Sequence, residues 1–178
     1  MKKVCISFLI FLILVLSVVG LSFGDDVNTE YLRIHVRANS NSQTDQSVKY
    51  AVKDAIVNFL TPYLAECKTK EKAEETVISL EKDIERIADQ TLTANGFSYE
   101  SDAIVKTEEF PTRVYDGLVL NGGYYDALII NLGDGAGDNW WCVVYPPLCF
   151  TGGNASYVYK SKIFEVINDF FKERKEEK

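Results

Sequence analysis

The chain has 178 residues, of which 47% are hydrophobic and 25% are charged, and its formal net charge is −7. These proportions indicate a globular protein of one domain and exclude a disordered or low-complexity chain. The acidic balance argues against nucleic acid or an anionic membrane surface as a partner, because their phosphate groups would be repelled.

The first 24 residues have the pattern of an export segment. Lys2 and Lys3 precede twenty uncharged residues, Val4 to Phe23, a run long enough to span a bilayer. A signal peptide cleaved before Asp25 and an uncleaved membrane anchor both fit this pattern. Without these two lysines the chain keeps 17 basic and 26 acidic residues, a formal charge of −9. We expect residues 1–24 to direct export, residues 25–30 to form a short linker and residues 31–178 to form the folded domain.

The first half of that domain predicts one strand and two helices. Residues 31–36 (YLRIHV) alternate apolar and polar, as in a half-buried strand. His35, the only histidine, is interpreted as an ordinary residue on the surface of this strand. An apolar stripe from position 48 to 64 predicts a helix capped by Ser42, which either ends near Leu60 or kinks at Pro62. A second helix is predicted from Thr69 to Asn95, with its acidic side exposed to solvent.

From Phe97 the apolar period changes from that of a helix to that of a strand. A long strand is followed by a break at Pro111, a short edge segment, the strands YYDALIINL and WWCVVY, and a final helix from Lys160 to Lys175. This order predicts a single α+β domain in which helices pack on a mostly antiparallel sheet.

Residues 133–150, GDGAGDNWWCVVYPPLCF, are the most distinctive stretch. A strand follows the Gly-rich loop, whereas a phosphate-binding loop would lead into a helix, and the aspartates alone do not supply a calcium site. Trp140 and Trp141 should face opposite sides of their strand, one toward the core and one available to a partner. Nothing in the chain requires a catalytic residue, a bound metal or a cofactor.

Three cysteines lie in the part that we expect to be exported: Cys67, Cys142 and Cys149. Thiols outside the cytoplasm tend to be oxidised, and an odd number leaves one of them free or paired with another chain. Nearness in sequence favours a Cys142–Cys149 disulfide, provided that Pro146 and Pro147 turn the chain back. Two packed thiols in a buried turn are the alternative.

Three segments of the chain resemble the stage II sporulation protein R family. They are RIHVRANSNSQTDQSVKYAVKDAI, FPTRVY and GDGAGDNWWCVVYPPLCF. Proteins of this family are made in the forespore and exported into the space between forespore and mother cell. There they activate a membrane-embedded aspartic protease, the peptidase that processes the precursor of the mother-cell sigma factor.

The resemblance implies a signalling protein that is not an enzyme and has no cofactor or small-molecule substrate. Aromatic anchors beside rigid prolines lose little entropy on binding, so we expect the contact with the protease in the most distinctive stretch. The residues expected there are Asn139, Trp140, Trp141, Tyr145, Pro146 and Pro147. Two alternatives stay open: a contact elsewhere on the domain, and a glycan-binding module or envelope enzyme that uses Trp140 and Trp141.

Overall fold

The computed structural model describes residues 27–115, 118–150 and 157–176. The strands are β1 (Val27–Arg37), β2 (Ser101–Phe110), β3 (Arg113–Tyr115), β4 (Leu118–Leu120), β5 (Gly123–Leu132) and β6 (Asn139–Tyr145). The helices are α1 (Gln43–Leu64), α2 (Lys70–Ser79), α3 (Glu81–Ala94) and α4 (Tyr157–Glu176), with a short 3-10 helix at Leu148–Phe150. The predicted α+β class is therefore confirmed.

Four strands form the main sheet in the order β2-β5-β1-β6. The β2–β5 and β1–β6 pairs are antiparallel, whereas β1 and β5, in the middle, run parallel. The expectation of a mostly antiparallel sheet is confirmed, with one parallel pair at its centre. Strands β3 and β4 form a separate two-stranded hairpin.

The two faces of the main sheet are covered differently. Leu32, Ile34 and Val36 of β1 point into a large apolar core shared with α1, α2 and α3, on what we call the helix face. Alternate residues of β1, Tyr31, Arg33, His35 and Arg37, point to the other side, which we call the open face. The buried cluster there includes Leu120 of the β3–β4 hairpin and no residue of α1, α2 or α3. Helix α4 packs on the Tyr31 end of this face through Phe170, so only part of the open face lacks a helical layer.

Three boundaries differ from the sequence predictions. Strand β1 begins at Val27, within the stretch 25–30 interpreted as a linker, because Val27 and Asn28 pair with β5 through their backbone. The predicted helix from Thr69 to Asn95 is two helices separated at Leu80, where Ser79 Oγ bonds the Thr76 carbonyl. Helix α1 passes through Pro62 and continues to Leu64.

The strand predicted from Phe97 begins only at Ser101. Phe97 and Tyr99 lie outside it, half-buried against the core of the helix face. Tyr99 donates a hydrogen bond from its hydroxyl to Asp45 at 2.8 Å. The alternation that suggested a strand therefore comes from residues that anchor the preceding loop.

The acidic side of α3 is more than the solvated surface that the sequence suggested. Its carboxylates at Glu81, Glu85 and Asp89 are spaced four residues apart and thus lie on one side of the helix. They accept hydrogen bonds from the backbone N–H groups of Val105, Ala103 and Ser101, at 2.7, 3.2 and 2.7 Å. Because these groups lie on the outer edge of β2, the helix covers an edge that would otherwise invite pairing with another chain.

The loop of residues 133–138 packs on the turn of residues 38–41. Gly137 N–H donates to the Ala38 carbonyl at 2.8 Å, and Asp138 N–H donates to the Asn41 side chain at 2.6 Å. The approach is so close that a Cβ atom on Gly137 would lie 2.2 Å from the Ser40 carbonyl oxygen. This contact fixes the position at which β6 begins.

We expect Gly137→Ala to destabilise the fold, because its Cβ atom meets backbone atoms that cannot turn away. The loop would have to shift to remove this clash, and we expect the shift to lower the free energy of unfolding by about 1–3 kcal/mol. Gly122→Ala is the matched control, since its nearest contact would be 3.3 Å, and it should cost clearly less. Urea unfolding of both variants measures the difference, and equal stabilities would contradict the close packing of the loop.

Candidate functional site

Strand β6 places the two tryptophans on opposite faces of the sheet. It pairs antiparallel with β1 so that Trp140 lies beside Val36 and Trp141 lies beside His35. Trp140 therefore belongs to the helix face and Trp141 to the open face. Both side chains are half-buried. The expectation of opposite faces is confirmed, whereas the expectation of one core and one exposed tryptophan is not met.

Trp140 packs against the apolar core beneath the helices. The Lys53 ammonium group of α1 lies 5.4 Å from the centre of its ring, within the range of a cation–π contact. Lys53 also forms an ion pair with Asp54. This tryptophan therefore connects β6 with α1.

Trp141 lies in an aromatic cluster on the open face. Its ring stacks on His35 with centroids 3.7 Å apart, and it meets the edge of Phe110 at 4.8 Å. The guanidinium of Arg113, an exposed residue, lies 5.8 Å from the Trp141 ring. The ring is thus held from below by His35 and approached by a cation from the β3–β4 hairpin.

His35 is buried, with 1% of its surface exposed, and not on the surface as the sequence analysis proposed. Its Nδ1 atom is 2.9 Å from a carboxylate oxygen of Glu108, and the other oxygen of Glu108 contacts Arg37. Burial lowers the pKa of His35 below its ordinary value, and the hydrogen bond to Glu108 only partly opposes this effect. The imidazole is therefore held in its neutral form at neutral pH.

A buried cation, the guanidinium of Arg33, lies nearby on the open face. Arg33 is completely buried and donates from Nη2 to the Tyr115 hydroxyl at 2.7 Å. Its guanidinium lies 4.3 Å from the Phe110 ring centre and 4.9 Å from that of Tyr125. No carboxylate of the described residues pairs with it, and its Nε and Nη1 atoms have no hydrogen-bond partner. The guanidinium is therefore surrounded by aromatic faces and not by an opposite charge. Burial lowers the pKa of Arg33.

The later residues of the expected contact surface are mostly internal. Tyr145 is buried and its hydroxyl donates to the Lys68 carbonyl at 2.6 Å, while burial raises its pKa to about 12. Pro146, after a cis peptide bond, and Pro147 are both buried. Asn139, at the start of β6, is exposed. The structure therefore separates Asn139 and the tryptophans, which reach the surface, from Tyr145, Pro146 and Pro147, which do not.

Cys142 and Cys149 lie at disulfide distance, with Cα atoms 6.3 Å apart, as the sequence analysis favoured. The turn that joins them brings Cys149 beside β6, where its Sγ atom accepts a hydrogen bond from Val143 N–H at 3.1 Å. Cys67 is unpaired and buried, and burial raises its pKa. Its thiol therefore stays protonated, which makes it a packing residue.

The comparisons with known proteins point in one direction. The sequence profile described as Stage II sporulation protein R matches residues 28–155. The chain is also 33% identical over 159 residues to the stage II sporulation protein R of Bacillus subtilis (strain 168), covering 84% of this chain and 71% of that protein. The chain belongs to the stage II sporulation protein R family. No solved structure matches it.

In this family member the three segments that carry the resemblance meet on the open face. RIHVR contributes Arg33 and His35, FPTRVY contributes Phe110 and Arg113, and the most distinctive stretch contributes Trp141. Sequence reasoning identified Trp141, but it placed His35 on the surface and missed Arg33 and the hairpin residues. The signal for the hairpin residues was present in FPTRVY, which combines aromatic and cationic residues with a proline.

The described residues of this family member assemble neither a metal cluster nor a nucleophile on His35. Among residues 27–115, 118–150 and 157–176, no group of three or more His, Cys, Asp or Glu side chains could hold a metal ion. His35 has a carboxylate on Nδ1, yet its Nε2 atom contacts no hydroxyl or thiol, so a Ser-His or Cys-His nucleophile is not assembled there. Among those same ranges, no helix is long and apolar enough to cross a membrane.

The burial of His35 gives a pH dependence with a definite sign. The folded state resists protonation of His35, whereas the unfolded chain takes up the proton near pH 6.5. Stability should therefore fall as the pH drops from about 7 to about 5, with a slope from this group approaching 1.4 kcal/mol per pH unit. His35→Gln should remove that part of the slope, as urea unfolding at several pH values would show.

The carboxylate of Asp45 does not contribute to this slope. Hydrogen bonds lower the pKa of Asp45, so its contribution to stability is lost only in more acidic solution. Equal pH slopes for the wild type and His35→Gln between about pH 7 and about pH 5 would show that His35 is protonated as easily in the folded as in the unfolded state.

Proposed function

We propose that this chain is an exported signalling protein of sporulation that activates a membrane-embedded aspartic protease. That protease, the sigma factor processing peptidase, would then cleave the precursor of the mother-cell sigma factor. The observation that carries the proposal is membership of the stage II sporulation protein R family.

The proposal places the folded domain outside the cytoplasm, in the space between the forespore and mother-cell membranes. It rests on the lysine pair at positions 2 and 3 and on the uncharged run that follows them, which lie outside the described residues. Two cysteines at disulfide distance, Cys142 and Cys149, suit an oxidising space.

The open face is the contact surface that the structure supports best. Its rim exposes apolar side chains: Val114 is 65% exposed, Val119 is 55% exposed and Ile104 is 43% exposed. Exposed apolar groups beside a half-buried aromatic and a free guanidinium are typical of binding surfaces. Arg113 supplies that guanidinium, since no carboxylate among the described residues forms an ion pair with it.

The arrangement of the tryptophans disfavours the glycan-binding alternative. A sugar-stacking platform needs aromatic rings that share one accessible surface, whereas Trp140 and Trp141 lie on opposite faces of the sheet. One face of the Trp141 ring is occupied by His35, and the Lys53 ammonium lies over Trp140. The two rings therefore do not act as one platform.

Val114→Asp tests the contact surface. A charge within the contact surface should reduce protease activation about tenfold or more, because a carboxylate would have to be desolvated. The fold should keep its melting temperature, since Val114 is already exposed. The measurement is the processing of the sigma precursor in a non-sporulating host that co-produces the full chain and the protease.

Ile78→Asp is the matched control. Ile78 is 48% exposed on α2, on the helix side of the molecule, and the variant should activate like the wild type. Loss of activity in Ile78→Asp with normal activity in Val114→Asp would move the contact to the helices. A wild-type chain that triggers no processing in the presence of the protease would refute the proposed function itself.

A further inference from the structure

The two edges of the main sheet differ in how their backbone groups are satisfied. On the outer edge of β2, three N–H groups donate to the carboxylates of α3 described above. The other edge strand is β6. An edge strand with unpaired N–H and C=O groups is a template for another strand.

Half of the outer edge of β6 is covered by its own turn. Val143 N–H donates to Cys149 Sγ at 3.1 Å, and the same sulfur lies 3.2 Å from the Val143 carbonyl oxygen. The backbone groups of Val143 therefore point away from β1. Because alternate residues of a strand point their backbone groups to the same side, the N–H and C=O groups of Trp141 and Asn139 also point outward.

No described residue forms a hydrogen bond with these outward groups of Asn139 and Trp141. Asn139 is exposed and Trp141 half-buried, so the backbone is within reach of solvent. In the ranges that the structure describes, the first half of β6 is thus an uncovered stretch of the edge of the main sheet. It is also the part of the strand that carries both tryptophans.

We propose that the Asn139–Trp141 end of β6 binds an extended segment of the partner as an added strand. The inference rests on the proposed function, with the protease as the partner. Main-chain hydrogen bonds to Asn139 and Trp141 would give this contact its register, and the side chains of the added strand would alternate between the two tryptophan faces.

The surroundings of this edge specify the chemistry of the segment. Arg113 lies over Trp141 on the open face and has no ion-pair partner among the described residues, so it selects a carboxylate side chain on that face. A groove of about 530 Å³ has Cys142, the residue that follows Trp141, in its lining. Apolar side chains, among them Val114, Leu118, Phe164 and Ile167, line the same groove. A segment with an acidic residue and then an apolar one fits these two features.

A proline at position 139 isolates the main-chain contribution. Because the Asn139 N–H points away from β1, Asn139→Pro removes an edge donor without breaking a bond of the sheet. Asn139→Ala loses the same side chain and keeps the N–H. We expect the proline variant of the full chain to bind the detergent-solubilised, immobilised protease about three- to tenfold more weakly than the alanine variant.

Amide hydrogen exchange gives a second readout that does not depend on a variant. When the wild-type chain binds the protease, the Asn139 and Trp141 amides should become protected. Binding without this protection, or equal affinities of folded Asn139→Pro and Asn139→Ala, would overturn strand addition and leave the proposed function intact. Failure of the wild-type chain to bind the protease would instead count against the proposed function. An unfolded Asn139→Pro leaves the exchange experiment to decide.

Discussion

The packing of residues 133–138 on residues 38–41 is the constraint on which the rest of the structure depends. Gly137 approaches the Ser40 backbone more closely than any side chain would allow, and hydrogen bonds to Asn39 and Asn41 hold the flanking residues. Beneath them, Asp45 accepts hydrogen bonds from Ser40, Asn39 and Tyr99. These bonds lower the pKa of Asp45 and keep it charged. The contact joins the end of β1 to the start of β6 and so sets the register between them.

The register between β1 and β6 determines which side chains meet on the open face. Trp141 lies beside His35, and its ring covers the His35 imidazole. Val143 lies beside Arg33, whose guanidinium is enclosed by aromatic rings. A buried cation without a carboxylate is costly unless other groups stabilise it, and here Phe110 is one of the rings that do so. The hairpin that completes the cluster is therefore tied to the sheet through its tyrosine, Tyr115. A rigid surface of this kind loses little entropy when a partner binds.

Periodicity predicted most of the fold, because the apolar residues that define each element are also the residues that build the core. The strand around Ile34 and the helix with Val52 and Ile56 follow directly from their spacing. The break at Leu80 could not be seen, since the apolar stripe continues across it and only a local side-chain bond interrupts the helix. The acidic side of α3 was misread for a related reason, because a carboxylate that caps a sheet edge and one that faces solvent look alike in sequence.

The candidate site was predicted less completely than the fold. Alternation along β6 correctly separated Trp140 from Trp141, but it could not show which ring faces remain accessible. Tyr145, Pro146 and Pro147 looked like surface residues because aromatic and proline residues are common at interfaces, yet the turn toward Cys149 buries them. The proximity of FPTRVY to His35 is a long-range contact, and such contacts leave no periodic signal in a single sequence.

The central claim is that the open face, and not the helix side, meets the protease, and site-specific photocrosslinking tests it most directly. A photoreactive amino acid at Val119 and another at Tyr50, two exposed positions of the hairpin and of α1, would be compared in the full chain produced together with the protease. The account predicts a covalent product with the protease from position 119 and none from position 50. Crosslinks from position 50 alone would contradict it.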